Sequence, residues 1–245
     1  MAENPFIQGI PGHGVTFGTK HSWNDWHLVP TSRPVFNPPE FKTNYVDIPG
    51  GYGKVDLSTF MNTDDAPMFG NRTGSIEFIV VNGYGEWYKR YSEIMNYLHG
   101  ENLKAILDDD PKWYYEGRFT VNQWKSDKNW SIITIDYDVY PFKKDIYASN
   151  EEWLWDPFDF ENDVINYFRN VSVNGTQSFT IIGDEELSYL SLTVNGTGMQ
   201  CIAQGKTFNL SNGTNNLYQV QFSGEFTFQI KGTGTVTVNY RRGSL

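Results

Sequence analysis

Along most of the chain apolar and polar side chains alternate with a period of two, the pattern of strands that bury one face. Over residues 1 to about 60 the alternation comes in short runs, "GVTFGTKHSWNDWHLV" and "NYVDIPGGYGKVDL", interrupted by "FNPPEFK". This predicts an open, turn-rich β region. In "RTGSIEFIVV", residues 72–81, the run turns wholly apolar from Ile79, which predicts a strand end buried on both faces. One stretch has another period. In "GEWYKRYSEIMNYLHG", Trp87, Tyr91, Ile94, Met95 and Leu98 share one face of a helix. Glu86 stands four residues before Arg90, and Gly100 is placed as the C-terminal stop. Beyond it, "LKAIL" and "KWYYEGRFTV" flank Asp108, Asp109, Asp110 and Pro111 as a hairpin, and "WSIITIDYDVYPF" reads as a strand broken at Pro141. A helix on a mostly antiparallel sheet predicts an α+β unit over residues 1–144.

Residues 145–170 interleave acids and aromatics with no clean period, and read as a connector packing Trp153, Trp155, Phe158 and Phe160 onto a sheet. From 171 to 245 the texture is all β. "FTII", "YLSLTV", "LYQVQF", "FTFQI" and "TVTVNY" are set between Asn-Gly, Gly-Thr-Gly and Gly-Asp pairs. Asn-Gly favours type I′ hairpin turns because both residues tolerate positive φ. The recurrence of Asn-Gly-Thr at 174, 195 and 212 is uneven, so it reads as repeated use of one turn. The pattern predicts a two-sheet β-sandwich of about eight strands. The fold class is therefore mainly β with one α-helix.

The glycine-rich "YVDIPGGYGKVDLSTF", residues 45–60, invites a ligand-cradle reading. A phosphate-binding loop needs glycine where Ile48 stands and a hydroxyl where Val55 follows Gly53-Lys54, so that reading fails. Pro49 presets φ and Gly50 supplies positive φ, as a type II turn requires.

Charge narrows the partners. The net charge is −10, yet residues 171–245 carry four basic and four acidic side chains, so the whole excess lies in residues 1–170. An acidic chain lacks the basic stripe that holds DNA or RNA, although an acidic wall lets DNA pass without sticking. No apolar run is long enough to span a bilayer as a helix, and "MAENPFIQGIPGHG" has neither the basic start nor the apolar core of a secretory signal. Synthesis in the cytoplasm is the expectation, and the seven Asn-x-Ser/Thr sequons read as turn chemistry. Cys201 is the single cysteine, placed as a buried strand thiol.

Catalytic sets are poor. Asp108 to Asp110, Glu151, Glu152, Asp136 and Asp138 are candidate carboxylates for a glycoside hydrolase, but each fits a turn, a connector or an outward strand face. The histidines, His13, His21, His27 and His99, stand near no Gly-x-Ser-x-Gly elbow. "HSWNDWH" offers His21, Asp25 and His27 as metal ligands without a second cluster, and a solvated turn explains it. No catalytic, metal or cofactor site is expected. A carbohydrate-binding, lectin-like module for host-surface attachment is the rival reading. All eight tryptophans lie between 23 and 155, and Phe222, Phe226, Phe228 and Tyr240 read as core, which leaves Tyr189 and Tyr218 as sugar platforms.

Five motifs in order carry a resemblance. "YVDIPGGYGKVDLS", "NR" at 71–72, "NYLHGENLKAIL", "DDDPKWYYEGRF" and "TVTVNYRRGSL" resemble the distal tail proteins (Dit) of long-tailed, non-contractile bacteriophages, from about residue 15 to 245. The resemblance implies a split-barrel-like N-terminal domain that assembles into a ring, typically a hexamer, and a C-terminal galectin-like β-sandwich. It further implies a virion hub at the tail tip with a DNA-passing channel. Its partners would be the major tail tube protein, the tail-associated lysin, tape-measure or baseplate proteins, and a receptor-binding protein. Carried onto this chain, the motif positions are Asp47, Pro49, Gly50, Gly53, Asp56, Asn71, Arg72, Tyr115 and Arg118. The turn from Asp47 to Gly53 then shapes the ring-forming domain.

Overall fold

The computed structural model describes residues 13–60, 67–80, 87–126, 131–151, 167–183 and 186–245. The chain forms two compact units that divide between Lys143 and Lys144.

The first unit holds β1 (Val15–Phe17), β2 (Lys20–His21), β3 (Leu28–Pro30), β4 (Tyr45–Asp47), β5 (Lys54–Asp56), β6 (Arg72–Val80), α1 (Trp87–Leu98), β7 (Asn102–Leu107), β8 (Trp113–Ser126) and β9 (Ser131–Val139). Its main sheet runs β2-β1-β7-β8-β9-β6-β3. Each neighbouring pair is antiparallel, as in β6 against β9 with Ile76 facing Ile135. Alternation along β9 sends Ile133, Ile135, Tyr137 and Val139 inward, where they meet Phe17, Trp26, Phe78 and Phe119 in one core. The helix follows the 3.6 pattern. Trp87, Ile94 and Leu98 are buried, and Tyr91 and Met95 pack beside them. Tyr97 fixes it further, its hydroxyl donating to the Phe17 carbonyl at 3.0 Å and accepting from the Thr19 amide at 2.8 Å. Gly100 ends it at φ +82°, donating its amide to the Phe119 carbonyl.

Two expectations fall outside the described residues: the pairing of Glu86 with Arg90, and the packing of Trp153, Trp155, Phe158 and Phe160. One is corrected. Ile79 is half-buried between buried Phe78 and Val80, so alternation persists to the end of β6. Its cross-strand neighbours Val29 and Ile132 are apolar, and the three shield one another on the outer face.

After β10 (Lys143–Asp145), the second unit contains β11 (Val171–Ile182), β12 (Ser188–Ala203), β13 (Lys206–Asn209), β14 (Gly213–Phe222), β15 (Glu225–Val238) and β16 (Gly243–Ser244). Its sheet runs β11-β15-β12-β13, with β14 also on β12. The strand count and the turns differ from the expectation. Three long strands, β11, β12 and β15, run through the glycine pairs read as turns, and β15 alone joins two of the runs read as separate strands, "FTFQI" and "TVTVNY". Asn174-Gly175, Asn195-Gly196 and Gly232-Thr233-Gly234 lie inside strands, facing one another as Gly175 to Gly232 and Gly196 to Gly234. Glycine serves close approach there. A Cβ on Gly196 would lie 2.8 Å from the Gly234 Cα, and one on Gly232 would lie 2.7 Å from Met199 Sδ at a φ of +141°. Across this row the sheet curls, so that Val173, Val194, Val236 and Val238 from one half share a core with Phe179, Cys201, Phe228 and Ile230 from the other. A register shift between Thr197 and Gln200 keeps both halves of β12 turned inward.

The segment before this sheet is bound into it. The Ser149 hydroxyl donates to the Val238 carbonyl at 2.6 Å and accepts from the Tyr240 amide at 2.9 Å. Buried Glu186 pairs with Lys144.

Candidate interaction surfaces

The segment singled out by its glycines folds into a two-stranded sheet of its own, separate from both larger sheets. Strands β4 and β5 pair Tyr45 with Asp56, Val46 with Val55 and Asp47 with Lys54. The Gly51 amide donates to the Ile48 carbonyl at 3.1 Å, closing a turn around Pro49 and Gly50, and the φ of +73° at Gly50 is what a type II turn demands. Gly53 follows at +80°. At the base, the Asn44 amide donates to Ser58 Oγ at 2.8 Å and the Ser58 amide to Asp56 Oδ1 at 2.9 Å. The Ser58 hydroxyl and amide hold the Asp56 carboxyl below its ordinary range. The Asp47–Lys54 pair at 3.6 Å is exposed and adds little.

This arm is apolar on its surface. Tyr45, Val46, Ile48, Tyr52 and Val55 are all exposed, Tyr52 completely, and so is Phe60 just past the base. A lone two-stranded hairpin is marginal in water, so a surface of this kind gains stability by being covered.

The other motif positions lie elsewhere in the first unit. Arg72 and Tyr115 are interior, 5% and 8% exposed. Arg72 Nε donates to the Pro141 carbonyl at 2.7 Å and Nη1 to the Asn37 carbonyl at 3.0 Å, while its guanidinium lies over the Tyr115 ring. Burial draws its pKa down. Tyr115 stacks on Phe36 with ring centroids 4.1 Å apart, so this group straps residues 36 and 37 to the sheet. Asn71 and Arg118 are at the surface. Asn71 Nδ2 donates to Asp138 Oδ1 at 2.7 Å, and Arg118, opposite Asp138 in the ladder, donates to the Gly100 carbonyl at 2.8 Å.

Of the acids weighed as catalytic, Asp108, Asp109, Asp110, Asp138 and Glu151 are engaged in structure, and Glu152 lies outside the described residues. Asp108 accepts from the Gly14 amide at 2.8 Å and lies 3.1 Å from His21 Nε2; Asp110 binds Lys143 at 2.7 Å. Asp109 meets His13 and Arg33, each at 2.8 Å, which hold its carboxyl low. In "HSWNDWH", Asp25 accepts the His21 amide and the Lys20 ammonium, and His27 turns back to the Trp23 carbonyl. Among the described residues no three His, Cys, Asp or Glu side chains gather as a metal site. No described helix is long and apolar enough to cross a membrane.

In the second unit, Tyr189 and Tyr218 are exposed and in contact, centroids 4.7 Å apart at 48°. Pattern reading missed what lies along the strands from them. Asn150, Glu151, Arg169, Asn170, Thr193, Thr237 and Asn239 line a shallow polar depression of about 510 Å3. Its members come from distant parts of the chain, and only the folded sheet assembles them.

The geometry defines a β-rich chain of two units with one described helix and a projecting apolar hairpin. The crystal structure of SPP1 Dit (gp 19.1), described as a paradigm of hub adsorption apparatus in Gram-positive-infecting phages, is similar at a TM-score of 0.59. The likeness covers 95% of this chain and 99% of that one at 12% sequence identity, so the fold of this protein is Dit-like. No family model and no curated protein matches the sequence.

Proposed function

We propose that the protein is a structural hub of a bacteriophage tail tip, in which copies of this chain close a ring, as a hexamer, at the distal end of the tail. The observation that carries this reading is the Dit-like fold along nearly the whole of both chains. The β4–β5 hairpin supplies the means. Its exposed Tyr45, Val46, Ile48, Tyr52 and Val55 are buried against the neighbouring copy, with Asp47, Pro49, Gly50, Gly53 and Asp56 shaping the arm. Asn71 and Arg118 lie on the contact face, and Arg72 and Tyr115 hold that face from inside.

On this reading acidic side chains of the first unit line the channel, where they repel a passing polyanion and prevent adsorption. On this reading the ring docks to the tail tube protein on one side. On the other it meets tail-associated lysin, tape-measure or baseplate proteins, with the receptor-binding protein beyond; the protein acts as a scaffold and catalyses nothing.

Native mass spectrometry with negative-stain microscopy tests the proposal. A particle of six 28.2 kDa chains with a central pore is expected, and Tyr52→Asp with Val55→Asp should leave monomers. A wild-type monomer at high concentration, with tail tube protein added, overturns it.

A further inference from the structure

We infer that the outer face of the second unit binds a neutral, hydroxyl-rich glycan chain. This stands on observations independent of the ring. Along β12 the side chains alternate: Leu190, Leu192 and Val194 enter the core, while Tyr189, Ser191 and Thr193 face outward. Ser191 pairs with Asn216 on β14, and Thr193 with Thr214 on β14 and Thr237 on β15, so one surface runs from the tyrosine pair to the depression. At about 3.4 Å per residue, Tyr189 to Thr193 spans on the order of 13 Å, the length of a short oligosaccharide.

Solvated polar side chains are all that an outer sheet face requires. This face has three further features. The aromatic pair is unburied, with Tyr218 62% exposed, and presents ring surface on which the C–H face of a sugar can stack. The polar groups are tied to one another: Ser191 Oγ donates to Asn216 Oδ1 at 2.8 Å, Asn239 Nδ2 to Thr193 Oγ1 at 2.9 Å, and the Thr193 and Thr214 hydroxyls lie 3.1 Å apart. Such fixed amides and hydroxyls each retain donor or acceptor capacity and have little entropy left to lose on binding. The surface is also concave at the Asn150 and Asn239 end.

The chemistry selects the ligand. Paired donors and acceptors beside an aromatic platform fit a molecule with apolar ring faces and polar edges. An apolar protein partner would find mostly amides and hydroxyls. A polyanion would find the Glu151 carboxylate in the same lining as Arg169, and Glu151 already pairs with Arg241 at 3.2 Å.

The test is a glycan array of neutral and acidic oligosaccharides probed with the full chain, then titration calorimetry with the best-retained neutral glycan. Tyr218→Ala and Asn150→Ala, at the two ends of the face, should each weaken binding by roughly tenfold with circular dichroism unchanged. Tyr52→Ala, on the hairpin, should bind glycan as the wild type does, so loss of the ring and loss of this site are read separately. Retention of no neutral glycan, retention of acidic glycans alone, or binding that survives both end variants overturns the proposal.

Discussion

Cys201 lies on the inward face of β12, and burial pushes its thiol up to about 12. The thiolate is the reactive form, so a disulfide reagent at pH 8 should label the folded chain negligibly and react fully once urea unfolds it. Gly117 carries a steric demand in β8: an added Cβ would overlap the Asp138 carbonyl oxygen and sit 2.5 Å from the Val139 Cα. Gly117→Ala should cost about 1–3 kcal/mol, read from the urea midpoint at unchanged slope. Asp109 predicts a pH effect. Its carboxyl is held below the ordinary 3.8 first by His13 and then by Arg33. The folded chain thus binds that proton more weakly than the unfolded chain, and the contribution is full above the ordinary value and lost as pH falls through the lowered one. Asp109→Asn should therefore lower the Tm at pH 5, and the gap to wild type should narrow toward pH 2.

At the level of elements, the hairpin is the part whose protection depends on assembly. Hydrogen exchange should find the amides of residues 45–56 fast in a monomer and slowed in the ring; equal rates in both would show that the arm is not the contact. Gly50→Val forces a β-branched side chain to a φ of +73°, a strain on the order of 1–3 kcal/mol, and should shift size-exclusion profiles toward smaller species. The turn itself was legible, because Pro49-Gly50 states its geometry locally. Its exposure was not, since alternation separates two faces without saying which one the rest of the chain covers. Helix α1 was legible for a similar reason: its period and Gly100 lie within one short window. Asn-Gly misled at 174 and 195, because the pair signals a turn only when nothing faces it, and Gly232 and Gly234 stand opposite in the curled sheet. The polar face was illegible for lack of any local mark, with Asn150 and Asn239 89 positions apart.

For the whole molecule, two separate cores imply two folding units. Residues 144–245, expressed alone, should give a soluble β-type circular dichroism spectrum and one cooperative urea transition, because Val173, Phe179, Leu192, Phe228 and Val236 close a core without help from the first unit. An aggregated or non-cooperative product would show that the second unit needs the first.

The pairing of β11 with β15 is unbroken from Val171 opposite Val236 to Ile182 opposite Glu225. Tension applied along these strands from opposite ends would load the hydrogen bonds together in shear, where a hairpin peeled from its mouth gives way one bond at a time. Passing straight through the bend as continuous strands, β11 and β15 make the second unit a mechanical tie: it can curl at its glycine row and still resist being drawn out.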